Sequence, residues 1–126
     1  MSTLNVANIQ SLSTSTLPVV KDSAGTEKGQ FVRTWINFTG TGTVAINDHF
    51  NISSLVDNGV GHYTLNFTVA FSNTNYCYTD SGNGSSGGTR TVVTVTQNTN
   101  SFTFKTRGSC VAAFDPNTVC LAFFGD

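Results

Sequence analysis

Charge is scarce in this chain. Six Lys/Arg and seven Asp/Glu are spread over 126 residues, for a net charge of −1. A surface this poor in cations holds neither a phosphate backbone nor an anionic lipid surface, so nucleic acid and membrane are not expected as partners. No apolar run approaches the roughly 20 residues that span a bilayer. The opening MSTLNVANIQ has no basic stretch followed by an apolar one, so no signal peptide is expected. No segment shows a helix-length period, and no internal repeat emerges.

Chemistry-bearing patterns are equally sparse. His49 and His62 are the two histidines, and neither HxxxH nor HxH spacing joins them, so no metal site and no cofactor is expected. Asp22, Asp57, Asp80 and Asp115 stand in turn contexts, where Asp bonds its own backbone. No two acids are paired as glycoside hydrolysis needs. The Gly-rich stretch after Asp80 lacks the Lys-Ser/Thr ending and following helix of a phosphate-binding loop. Three cysteines, Cys77, Cys110 and Cys120, form no CxxC. They read as buried free thiols, with a Cys110–Cys120 link as the local alternative. These features point away from an enzyme.

Thr, Ser, Asn and Gly are abundant, and their placement is that of strands and turns. The clearest strand is Tyr63–Phe71. Tyr63, Leu65, Phe67, Val69 and Phe71 fall on one face, and His62, Thr64, Asn66, Thr68 and Ala70 on the other. Phe31–Phe38 reads as a strand with Phe31 and Trp35 on one face and Val32, Ile36 and Phe38 on the other. Apolar residues on both faces imply one face in the core and one at a subunit contact. Thr43–Asn47 follows a Gly40–Gly42 turn, with Val44 and Ile46 inward, and Phe50 and Ile52 mark the next strand. Asp57-Asn58-Gly59 and Asn98-Thr99-Asn100 are hairpin turns. Tyr76–Thr79, Thr91–Thr96, Phe102–Thr106, Cys110–Phe114 and Val119–Phe124 complete a set of about eight to nine short strands. That number and spacing predict an all-β fold, an antiparallel β-sandwich of jelly-roll-like form. Val119–Phe124, apolar on both faces, is expected at the centre of a sheet or between subunits, since exposure there invites aggregation.

Residues 1–30 differ. Leu4, Val6, Ile9, Leu12, Leu17, Val19 and Val20 are scattered among polar residues and cannot make their own core. The segment reads as an extended N-terminal arm ordered against a neighbour, with residues 31–126 as the knob. Leu4, Val6, Ile9, Leu12, Leu17, Val19, Phe31 and Trp35 are therefore the candidate subunit or partner contacts. DSGNGSSGG, residues 80–88, is the longest flexible loop. Gly82, Asn83, Gly84, Ser85 and Ser86 are its candidate exposed tip. Trp35, Tyr76 and Tyr78 could stack on sugars, although core or interface roles are the simpler reading.

One series of residues carries more than pattern. Trp35-Ile36-Asn37-Phe38-Thr39-Gly40-Thr41-Gly42-Thr43-Val44-Ala45-Ile46, then Phe50-Asn51-Ile52-Ser53-Ser54, Asp57-Asn58-Gly59 and Tyr63-Thr64-Leu65-Asn66-Phe67, resembles a module of virion structural proteins of tailed bacteriophages, cyanophages especially. There it often closes tail-fibre-like or other surface proteins. Asn5–Ile9 and Val20–Gly25 resemble the lead-in of such proteins. The resemblance implies a β-rich particle-surface component made in the host cytoplasm, commonly a homotrimer, without enzymatic activity or catalytic residues. An arm of about 30 residues on a compact knob suits a trimeric capsid decoration (cement) protein. In that reading the arm lies on the major capsid protein or another virion protein. The alternative is a tail-fibre or appendage knob that binds a host receptor or glycan.

Overall fold

The computed structural model describes residues 3–10, 12, 18–82, 91–108 and 112–126. Ten strands and no helix occur among them. Eight make two four-stranded antiparallel sheets. The first has the order β4(Ala45–Phe50), β3(Thr34–Thr39), β10(Val119–Phe124), β7(Cys77–Ser81). The second has the order β5(Ile52–Asp57), β6(His62–Phe67), β9(Ser101–Arg107), β8(Thr91–Gln97). The sheets face each other as a sandwich, the architecture the strand spacing predicts.

Period-2 alternation decides which side chains meet between the sheets. Ile36, Phe38, Val119, Leu121 and Phe123 come from the first sheet. Ile52, Tyr63, Leu65, Phe67, Val92, Phe102 and Phe104 come from the second. Aromatic rings bridge the two in edge-on contacts: Phe38 with Tyr63 at 5.1 Å, Phe67 with Phe123 at 5.5 Å, and Phe102 with Phe123 at 5.1 Å. Such pairs add about 0.5–1.5 kcal/mol each beyond burial. β10 occupies the centre of its sheet, between β3 and β7.

The strand directions segregate the two ends of the sandwich. The chain reaches β3 beside Asn51, the Thr68–Tyr76 connection, the Asn98–Asn100 turn and the terminal Gly125–Asp126. At the opposite end lie the 40–44, 58–61 and 108–118 connections, and there Ser81 ends β7 and Thr91 begins β8. We call these the arm end and the loop end.

Several expectations are corrected. β6 stops at Phe67 rather than running to Phe71, and Val69 is exposed. Asn51 is the reason. It sits at φ 61° between β4 and β5, donates from Nδ2 to Thr34 Oγ1 (2.8 Å) and Val69 O (3.0 Å), and accepts from Val69 N (2.7 Å). This clamp turns the chain out of the ladder before Phe71 returns to the core. Likewise β3 starts at Thr34; the Arg33 amide still donates to Phe123 O at 3.1 Å, and it is the Arg33 side chain that plugs the arm end. Arg33 is buried, donates to Ala70 O at 2.8 Å and lies over the Phe71 ring at 5.2 Å. Of the segment expected as a strand at Cys110–Phe114, residues 112–114 form none and only Ala113 bridges to Arg107. Residues 109–111, with Cys110, lie outside the described residues. Cys77 and Cys120 are free thiols, but Cys77 is exposed and Cys120 half-buried rather than buried.

Residues 19–30 are not simply extended. β1(Val19–Lys21) pairs with β2(Glu27–Gln30) across the Asp22–Gly25 turn. Asp22 Oδ1 accepts from Ala24 N (3.0 Å) and Thr26 N (2.9 Å), and Lys28 pairs with Asp22 at 3.2 Å. The Thr26 amide foremost holds the Asp22 carboxyl below its ordinary range, against opposing desolvation.

Candidate functional site

The outer faces of the two sheets differ. On the β5-β6-β9-β8 sheet the outward residues are mostly polar and satisfy one another. Thr64 and Thr103 share a 2.9 Å hydrogen bond, Asn66 donates to Ser54 at 2.8 Å and Asn58 to Thr64 at 2.8 Å. On the β4-β3-β10-β7 sheet the outward row Phe50–Trp35–Ala122–Thr79 is followed two residues on by Asp48–Asn37–Cys120–Ser81. Apolar and polar groups are mixed there, and Asn47 donates to Asn37 Oδ1 at 2.9 Å and to Thr39 Oγ1 at 3.2 Å.

A groove of ≈ 330 Å³ lies on this second face, lined by Trp35, Asn37, Thr79, Asp80, Ser81, Cys120 and Ala122 together with backbone neighbours. Its origin is steric. The central strand β10 presents small side chains, Ala122 and Cys120, whereas β3 on one side presents Trp35 and Asn37. The trough therefore follows β10, between β3 and β7, which stand about 10 Å apart, two strand spacings. Trp35 is half-buried and is the single tryptophan of the chain. Asn37 Oδ1 accepts from Asn47 Nδ2 at 2.9 Å, which orients the Asn37 amide. Asp80 Oδ2 accepts from Val92 N at 3.2 Å and ties the groove wall to the second sheet.

The loop end is held by a different set of bonds. Tyr63 Oη donates to Asp115 Oδ1 at 2.8 Å, and Asp115 Oδ1 also accepts from Gly61 N at 2.7 Å. Gly40 N donates to Pro116 O at 3.0 Å. Burial first, and the Asp115 carboxylate second, push the Tyr63 phenol far above its ordinary pKa. A Cβ at Gly61 would meet Thr106 O at 2.8 Å and Phe114 O at 2.7 Å, so the 58–61 and 108–118 connections interlock only with glycine there. Asp22, Asp57, Asp80 and Asp115 each accept a backbone N–H; Asp22 and Asp57 do so within their own turns, Asp80 and Asp115 across the sandwich. Among the described residues no group of three or more His, Cys, Asp or Glu side chains could hold a metal ion.

The three aromatic residues singled out for sugar stacking separate cleanly. Tyr76 is buried, stacks on Phe71 at 4.2 Å and donates to Asn98 O at 2.9 Å. Tyr78 packs against Phe102 at 4.8 Å, with its hydroxyl 3.0 Å from Thr94 Oγ1. Trp35 lines the groove. Of the candidate contacts, Leu4, Val6, Ile9, Leu12, Val19 and Phe31 are exposed, and Leu17 lies outside the described residues. Gly82 is exposed, while Asn83, Gly84, Ser85 and Ser86 lie outside the described residues. Thr79, Ser81, Cys120 and Ala122 escaped the sequence reading, because only the long-range pairing of β7 and β3 with β10 places them beside Trp35.

Fold and groove together define an antiparallel β-sandwich with one aromatic-lined flank. No protein-family profile matches the chain, and no curated protein matches it in sequence. Among solved structures, the fold is similar to part of the phiAB6 tailspike, crystallised with three-repeated oligosaccharides of Acinetobacter baumannii surface polysaccharide. The TM-score is 0.52 at 14% identity over 95% of this chain, which spans 30% of the tailspike chain.

Proposed function

We propose that this chain is a non-enzymatic structural module of a phage virion, carried on a tail appendage, where it engages a host-surface glycan or receptor. The observation that carries this reading is the likeness of nearly the whole chain to part of a tailspike crystallised with bacterial surface oligosaccharides. It agrees in kind with the resemblance of the Trp35–Phe67 series to tailed-phage surface modules. It favours the appendage over the capsid decoration preferred on sequence grounds.

The segregation of the two ends supports the same division of labour. Leu4, Val6, Ile9 and Leu12 are exposed, as is Phe31 at the root of the knob. These side chains gain most by packing on a second copy in a homotrimer or on another virion protein. The loop end faces away from that attachment, and the groove runs along the flank from Trp35, near the arm end, to Ser81. Binding without turnover is supported by the commitment of Asp22, Asp57, Asp80 and Asp115 to backbone amides, which leaves no carboxylate pair in the groove.

The test is binding of the purified chain to host cells before and after the surface polysaccharide is removed. The expected outcome is saturable labelling that drops with the polysaccharide. Labelling of no cell type in a panel that the phage infects contradicts the reading.

A further inference from the structure

We infer that the groove along β10, with Phe50 and Trp35 at its side, is the seat of the N-terminal arm of a second copy of this chain. The contact commits the arm to one partner and is independent of glycan binding.

Arm and groove are each left uncovered within a single chain. Leu4 and Ile9 are 80% and 64% exposed, and Leu12 is wholly exposed. No arm residue lines the groove. Phe50 stands directly opposite Trp35 on the outward face of β4 and β3, and at 53% exposure it is the barest aromatic side chain among the described residues. Apolar surface left in water costs free energy in proportion to its area. A second copy covers both surfaces at once. Each copy gives one arm and receives one, a heterologous contact of the kind that closes subunit rings.

Shape and charge fit this segment to this seat. The groove is floored by Ala122 and Cys120 and walled by Trp35. Its width of about two strand spacings admits one extended chain rather than the face of a domain. Residues 3–10 are neither strand nor helix. Fully extended, residues 4–12 reach about 30 Å, whereas the row Phe50–Trp35–Ala122–Thr79 spans only about 14 Å across four strands. One arm therefore crosses the groove and covers Phe50 as well. No charged side chain precedes Lys21. The seat is equally free of charge. Asp80 at the rim turns its carboxylate to the Val92 amide of the second sheet at 3.2 Å, and Asp48 on the outer strand accepts from His49 N at 2.8 Å. An uncharged segment buries no ion there, which a charged partner would do at a cost. The outward face of the other sheet is a poorer seat. Its hydroxyls and amides bond to one another, and its exposed Val56 and Val93 stand apart on the opposite edge strands β5 and β8.

Cys120 on the groove floor makes the contact directly testable. Full chains with Ile9→Cys and every native cysteine replaced by Ser are mixed with chains that keep Cys120 as their one thiol. A short bis-maleimide then links thiols within its reach, and Leu4→Cys, Val6→Cys and Leu12→Cys scan the register. The expected result, for at least one arm position, is a covalent pair of one chain of each kind. Its yield should be at least tenfold above that with Val93→Cys as the second chain's only thiol. In parallel, sedimentation and tryptophan emission follow the wild-type chain on dilution. Trp35 is the single tryptophan, so an emission that shifts red as the assembly dissociates reports the uncovering of this face. Phe50→Ser and Ala122→Gln, both on the outward face, should each weaken self-association at least tenfold, Phe50→Leu less than fivefold and Val93→Thr less than twofold. A chain that stays single at every concentration overturns the inference. So does an assembly that ignores Phe50→Ser and Ala122→Gln, or one that yields no link from any arm position. If a thiol on the arm links to Cys120 within one chain while mixed chains give no link, the arm folds onto its own knob and the inference is equally overturned. None of these outcomes alters host-cell labelling, which tests the glycan reading separately.

Discussion

Tyr63 and Asp115, 52 residues apart in sequence, are joined by a 2.8 Å hydrogen bond that pins the 108–118 connection to the core. Tyr63 is wholly buried, and the carboxylate it reaches is shared with the Gly61 amide at 2.7 Å. Hydrogen bonds to charged groups contribute about 1.5–3 kcal/mol each. Asp115→Ala should lose roughly 2–4 kcal/mol, read as a lower urea midpoint with an unchanged slope. Tyr63→Phe should lose about 1 kcal/mol, and the double variant should reveal a coupling of about 1 kcal/mol. Additive losses would mean that the pair does not hold the loop end.

At the other end, the Asn51 clamp ties Thr34 of the first sheet to Val69 in the connection after β6. Asn51→Gly keeps access to φ 61° but removes three hydrogen bonds. Asn51→Ala also adds left-handed strain of about 1–2 kcal/mol. Thermal denaturation should therefore rank wild type above Asn51→Gly, and Asn51→Gly above Asn51→Ala. Equal melting temperatures for the two variants would remove the conformational part of this account.

Alkaline stability follows from Tyr76. Burial raises its phenol from an ordinary value near 10 to about 12, and its hydroxyl can only donate to the Asn98 and Ser101 carbonyls. Because the folded state holds the proton more tightly, this contribution is complete below pH about 10 and is lost as pH rises toward about 12. Tyr63, shifted the same way, steepens the loss and extends it to higher pH. Tyr76→Phe should lose about 1 kcal/mol at neutral pH, yet decline less than wild type between pH 10 and 12. Parallel curves would contradict the assignment.

The arm should be separable from the knob. Replacing Leu4, Val6, Ile9 and Leu12 together by Ser touches no core contact, since all four are exposed. The melting temperature of the knob should move by less than about 0.5 kcal/mol equivalent, as is usual at surface positions. Assembly of the chain with itself or with other virion components should be lost. A large drop in knob stability would place these residues against the sandwich instead.

Local pattern made much of this architecture legible. Val119–Phe124 is apolar on both faces because β10 packs inward through Val119, Leu121 and Phe123 and is half-covered outward at Cys120, Ala122 and Phe124. The alternation of Tyr63, Leu65 and Phe67 marks β6 correctly. It misleads at Val69, where side-chain bonds from Asn51 override the period. The scattered aliphatics of residues 1–30 suggest an extended arm, and the pairing of β1 with β2 across Asp22–Gly25 escapes that reading. Arg33 had no signal, since nothing local tells a buried guanidinium from a solvated one. For the groove, composition singled out Trp35. Its neighbours Thr79 and Ser81 arrive from more than 40 residues away, through a register set by long-range pairing that no local window contains.

The most direct test of the appendage reading is an electron-density map of the intact particle into which the eight-stranded sandwich is fitted. The account predicts density for it on a tail appendage, with the Leu4–Leu12 segment against a second copy or a neighbouring protein. Density at the threefold positions of the capsid, with the tail empty of this fold, would contradict it.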